Sequence, residues 1–195
     1  MRARRPAGAL PLLLLSLAAA PRGAGAAELR AGVFDPPRAA PEFSLLGSDG
    51  SELTLGRYRG KVVILGFGFS SCPDVCPTTL SVLARARRQL GPEGEQVQVV
   101  YITVDPERDH AERLRSYLGG FDPTFVGGTG SAAELEAVRR DYGIAAERTA
   151  SGGSYAFAHS SYTYLIDREG VLRALMPYGH PAEDYVHDLK ILLGP

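Results

Sequence analysis

The residues able to do chemistry gather at Cys72 and Cys76, the only two cysteines among 195 residues, in the run Ser70-Ser71-Cys72-Pro73-Asp74-Val75-Cys76-Pro77. Three residues separate them, where redox dithiols of the Cys-x-x-Cys kind use two. On a helix, positions i and i+4 share a face. Their Cα atoms then lie ~6 Å apart, near the upper end of the disulfide range. A disulfide is within reach but not ideally placed, whereas the same pair chelates a soft cation with little rearrangement. Paired thiolates repel each other, and a cation between them removes that penalty. Thiolates select Cu(I) or Zn(II) over hard ions. A purely structural disulfide is the weaker reading, because a bridge closing so short a loop adds little to a chain of this size.

Two sulfurs make an incomplete site, so a third ligand is expected among four histidines. His110 opens a predicted helix, His180 sits in a turn before Pro181, and His187 lies within the last predicted helix. All three read as solvent-facing. His159 differs, because in Phe157-Ala158-His159-Ser160-Ser161 it closes a loop just before a strand. Residue types alone leave it either a ligand or a local hydrogen-bonding group. Pro73 and Pro77 should stiffen the cysteine segment, since each locks φ and removes a donor. Asp74, between the cysteines, is expected to be exposed and available to a partner. Met176 reads as core and Asp109 as a helix cap.

The elements that must position these groups follow from patterning. Residues 43–46 and 51–55 flank the turn Gly47-Ser48-Asp49-Gly50 and read as a small hairpin. Residues 61–67 form a continuous apolar run, the signature of a strand buried on both faces. The cysteine segment follows it at the carboxyl edge of the sheet, where α/β proteins place their sites. It also opens a helix over residues 78–90, whose N-terminal N–H groups favour anions such as thiolates. Residues 97–104 make a second buried strand. Asp109 with Glu112, and Ser131 with Glu134, have the spacing of capping boxes. Residues 145–158 are polar and aperiodic and read as a loop. A hairpin across Asp167-Arg168-Glu169-Gly170 and a helix beginning at Pro181 complete the chain. This order predicts a thioredoxin-like α/β fold, a central mixed sheet flanked by helices with an N-terminal β-hairpin, over residues 41–195.

Residues 1–26 run from Arg2, Arg4 and Arg5 through an apolar stretch to Ala24-Gly25-Ala26, the order of a secretory signal peptide. The apolar stretch is short for a span of about 20 residues, with an uncleaved membrane anchor as the alternative. Residues 27–40 are rich in Pro, Gly and Ala and read as a flexible leader. Four of the 21 basic residues and none of the 22 acidic ones fall within residues 1–26, so the remainder is acidic. Such a domain without a basic stripe excludes nucleic acid as a partner class. Export to a bacterial periplasm or envelope is expected, and a monomer.

The runs GKVVILGFGFSSCPDVCP, VDPERD, FDPTFVGGTG and HSSYTYLIDREG, in this order, closely resemble the Sco/SenC family of copper proteins. The resemblance runs from about Phe43 to Leu192. It implies a thioredoxin-like copper metallochaperone that assists copper-site assembly in cytochrome c oxidase, with the copper-site subunit or a similar cuproprotein as client. The family's copper ligands map onto Cys72, Cys76 and His159. Asp105 becomes either a support for the site or a docking residue, against a plain turn-forming role before Pro106. Ala158 stands where many members carry Asp before the histidine, which removes one partner for the imidazole. The rival reading is a thiol-disulfide reductase using Cys72 and Cys76 as a redox-active dithiol on a client's cysteines. A peroxidase lacks support, since neither cysteine sits in a recognisable peroxide-reactive motif.

Overall fold

Every residue of Val62–Gly68 is buried, and so is every residue of Val97–Thr103. Two such strands are stable only side by side with helices on their faces. They form that pair in a computed structural model describing residues 28–194. In chain order its strands are β1 (Gly32–Ala39), β2 (Ser44–Gly47), β3 (Glu52–Thr54), β4 (Val62–Gly68), β5 (Val97–Thr103), β6 (Val126–Thr129), β7 (Ala146–Ser151), β8 (Ser154–His159), β9 (Tyr162–Ile166) and β10 (Val171–Pro177). Its helices are α1 (Val75–Gln89), α2 (Ala111–Gly119), α3 (Ala132–Tyr142) and α4 (Ala182–Leu193).

Eight strands form one mixed sheet in the order β1-β10-β9-β4-β5-β6-β2-β3. β4 runs parallel to β5 and antiparallel to β9, so the cysteine-bearing strand end lies between the VDPERD turn and the β9 start. α1 packs against α4, and α2 lies against β6. One continuous apolar core joins the sheet to the helices. This is the expected thioredoxin-like arrangement. The Ser131–Glu134 capping box is present at the start of α3, both reciprocal bonds included.

Three expectations are corrected. The predicted flexible leader over 27–40 is largely β1, an edge strand paired with β10. Its register shifts between Val33 and Arg38, where Pro36 and Pro37 stand, and prolines are tolerated only at such an edge. Asp188 holds its entry by accepting the N–H groups of Arg30 and Ala31 at 2.8 and 2.9 Å. The predicted loop over 145–158 is the hairpin β7–β8, in register from Ala146↔His159 to Ser151↔Ser154. Its turn is Gly152-Gly153, both at positive φ (49° and 81°), the backbone a tight hairpin turn needs. Finally, Asp109 does not cap α2. His110 occupies that position and accepts from the Arg113 N–H, while Asp109 turns inward. The proposed signal peptide, residues 1–26, lies outside the described residues. Among those described, no helix is long and apolar enough to cross a membrane.

Candidate metal and thiol site

The chain leaves the end of β4 at Gly68 and passes through residues 69–74 into α1, so Cys72 lies in the turn and Cys76 in the first helical turn. Cys72 is half-buried and Cys76 is only 2% exposed; both are free thiols. Cys76 N–H donates toward Cys72 Sγ at 3.5 Å, so the outer sulfur reads the helix N-terminus.

From the other side, β8 delivers His159 at its last residue. His159 Nε2 stands 3.6 Å from Cys76 Sγ, across 83 residues of sequence. The other ring nitrogen, Nδ1, is 2.8 Å from the Ser160 carbonyl oxygen. A carbonyl only accepts, so Nδ1 carries the hydrogen and Nε2 presents its lone pair to the sulfur. Burial lowers the imidazole below its ordinary 6.5 and keeps it neutral. Phe69 meets the His159 ring edge-on at 6.0 Å and Phe157 at 5.8 Å, walling off one side.

Burial also pushes the Cys76 thiol from 9.0 up to about 12. That overturns the expectation that the helix end stabilises both thiolates. Desolvation costs the anion about 4 kcal/mol at this position, whereas a helix terminus typically returns ~0.3–1 kcal/mol. The inner sulfur therefore rests as S–H beside a neutral imidazole.

The support of the cysteine turn comes from a residue assigned a different role by its sequence position. The carboxylate of Asp109 is fully buried and accepts from Ser70 N–H and Thr103 Oγ1–H at 2.8 Å each, and from the Ser70 hydroxyl. Arg113 bridges outward to Ser70 Oγ at 2.7 Å and Ser71 Oγ at 3.2 Å.

Asp105 is 1% exposed, which takes it off any docking surface. It pairs with Arg108 and accepts from the Tyr155 hydroxyl of β8 at 3.0 Å. It thus braces the hairpin that carries His159. Asp74 is exposed at the N-cap of α1, as expected. Met176 is fully buried and lines the cavity beneath Cys76 and His159. His180 and His187 face Asp184 and Asp188 at 2.8 and 2.9 Å and take no part.

Cys76 and His159 are thus brought together, and Cys72 stands one helical turn away. Among the described residues no three His, Cys, Asp or Glu side chains are closed on a common point as a preassembled metal site.

The SCO1/SenC family model matches residues 34–194. The chain belongs to the SCO1/SenC family. An SCO2-like protein of Rickettsia prowazekii is 35% identical over 131 residues, 66% of this chain and 64% of that protein. The ScoI of Bradyrhizobium japonicum, solved with copper bound, is 33% identical with a TM-score of 0.74, covering 80% of this chain and 99% of that one. The apo Sco1 of Thermus thermophilus is 33% identical with a TM-score of 0.75, covering 85% and 98%. Alignments to the Sco/SenC curated relatives span about two thirds of their length or less, 64% for the Rickettsia protein and 39% for an Arabidopsis thaliana SCO1 homolog.

Proposed function

We propose that this chain is a copper metallochaperone that carries one copper ion on Cys72, Cys76 and His159 to a cuproprotein of cytochrome c oxidase. The observation carrying this reading is the 3.6 Å approach of His159 Nε2 to Cys76 Sγ, with the imidazole lone pair aimed at the sulfur. Two soft sulfurs and one neutral imidazole suit Cu(I), which accepts low coordination. The copper-bound B. japonicum relative supports the cargo. Loading displaces the thiol protons, and Cys72 needs only to turn its side chain inward from the Cys76 N–H. Release begins at His159, whose hairpin lies outside the main sheet. The basic, apolar and small-residue order of residues 1–26 supports action outside the cytoplasm, as an exported or anchored protein of the bacterial envelope.

The test is anaerobic Cu(I) titration of the reduced protein against a chromophoric competitor. One equivalent is expected, and His159→Ala should weaken binding by about a hundredfold. If H159A retains the parent's affinity, the three-ligand reading fails.

The unequal exposure of the two sulfurs favours a second activity of the same pair, a thiol-disulfide reductase. Cys72, as thiolate, attacks a client disulfide and forms a mixed disulfide, expelling one client thiolate. Cys76 then attacks Cys72 Sγ, its proton passing to the departing client sulfur, which frees the second client thiol and leaves this chain oxidised. This reaction does not use His159, so H159A should keep it while losing copper.

A further inference from the structure

Burying a hydroxyl without a partner costs roughly 1–3 kcal/mol, so each such group in a folded protein asks for a reason. Tyr101 is one. It is 2% exposed, in the middle of β5, and its hydroxyl makes no hydrogen bond of good geometry; the one group it interacts with is the Cys76 thiol beside it. Other buried polar atoms share that condition, on Tyr58, Arg108, Tyr117 and Arg168. Only Tyr101 lines the cavity that also holds Cys76 and His159.

The neighbouring strand is cut away to let this ring reach the site. Gly66 is the ladder partner of Tyr101, and a Cβ there would stand 3.2 Å from the ring. At Gly68 a Cβ would fall 1.8 Å from the Tyr101 hydroxyl oxygen and 2.8 Å from Cys76 Sγ. Oxygen and sulfur are therefore neighbours across the space that Gly68 leaves open. Other polar groups around the cavity are occupied. Thr163 and Tyr185 bond each other at 3.0 Å, Thr79 donates to the Val75 carbonyl at 2.9 Å, and Ser161 donates to the His159 carbonyl at 3.2 Å. Of the acceptors around the cavity, the Cys76 sulfur is the one that the gap at Gly68 sets beside the hydroxyl.

We propose that Tyr101 is a positioning residue for the inner metal-binding sulfur: its O–H, already beside Cys76 Sγ, donates weakly while that sulfur is a thiol and strongly once it is a copper-bound anion. A thiol is a poor acceptor, whereas an anionic sulfur bound to a cation takes charge-assisted hydrogen bonds. A donor held ready in a dry cavity pays its ordering cost during folding and not on loading. Hydrogen bonds to a copper-bound cysteine sulfur also tune the metal's electronic character. This inference rests on the reading of Cys76 as a copper ligand.

Tyr101→Phe keeps the ring and removes the donor. The reduced, copper-free variant should unfold close to the parent's temperature, because a thiol is a poor acceptor and little is lost with the hydroxyl. Copper should then raise its unfolding temperature by less than it raises the parent's, with Cu(I) affinity down about tenfold. In the Cu(II) form the sulfur-to-copper absorption band should move to longer wavelength, since the sulfur electrons are no longer held down. A Y101F protein with the parent's affinity and band position would overturn the proposal. So would a loss of stability as large without copper as with it, which would mean that the bond is at full strength before any metal arrives. Cys76→Ser probes the underlying reading separately: a sulfur-to-copper band and affinity that survive C76S remove the ligand, whereas a failure of Y101F alone leaves the ligand in place.

Discussion

The two halves of the site are built to different standards. The cysteine half extends a strand buried along its whole length, and its turn is pinned by a carboxylate with no exposure. The histidine half rides on a two-stranded sheet of its own, β7–β8. That hairpin is fastened mainly through Tyr155. Arg108 lies 3.9 Å from its ring centroid and its hydroxyl reaches Asp105 and Glu107, while Arg148 of β7 pairs with Glu107 at 2.9 Å. Contacts of this sort, near solvent, are individually weak and open easily. A carrier has to hold its cargo and also surrender it. On the proposed reading of this chain as such a carrier, holding falls to the rigid half and surrender to the lightly fastened one.

The contrast breaks most visibly at Asp109. Asp109→Ala leaves the Ser70 N–H and the Thr103 hydroxyl buried without an acceptor, and should cost roughly 3 kcal/mol in denaturant unfolding while also weakening copper binding. A loss below about 1 kcal/mol would mean that the cysteine turn stands without this carboxylate. Next in size is Tyr155→Ala. Global stability should change little, yet copper transfer to a competing chelator should run about tenfold faster, read by stopped-flow absorbance. Disulfide exchange by the dithiol should be untouched. Equal rates in Y155A and parent would show that the hairpin does not gate release.

The smallest effect sharpens the comparison on the histidine side. Burial lowers the folded-state pKa of His159 below its ordinary value of 6.5, so the unfolded chain binds that proton more readily. The resulting stability is present above 6.5 and is lost as pH falls through the lower folded value. Thermal unfolding of the reduced, copper-free protein between pH 8 and 5 (about the range in which histidine titrates) should show a decline that His159→Gln flattens. A slope identical in both proteins would assign it to other groups.

Sequence patterning was informative where burial on both sides left few choices. Residues 61–67 read as a central strand because nothing else suits so continuous an apolar run, and β4 spans Val62–Gly68. The Ser131–Glu134 box is local, and it formed as spaced. The β7–β8 hairpin escaped because its inward face is one short, half-buried row, Tyr155, Phe157 and His159, and β7 opposite carries no apolar alternation; Gly152-Gly153 was the turn signal. β1 escaped because Pro36-Pro37 argues against a strand unless it is known to be an edge. At the site, the spacing of Cys72 and Cys76 and the position of His159 pointed to one locality, and in the structure His159 Nε2 stands 3.6 Å from Cys76 Sγ. The inward turn of Asp109 was not legible, because its partners lie 39 and 6 residues away and only the assembled sheet brings them together. Nor was the depth of Cys76, which decides that desolvation outweighs the helix end.

The margins of the eight-stranded sheet carry one more implication. β1 closes one side with two prolines and a shifted register, and β3 closes the other with three residues. Neither border offers a long flat row of unpaired amides on which a second copy can lay a strand. Encounters between identical molecules gain no grip there, so a protein bearing free thiols is kept from fibre-like self-association by the way its sheet ends.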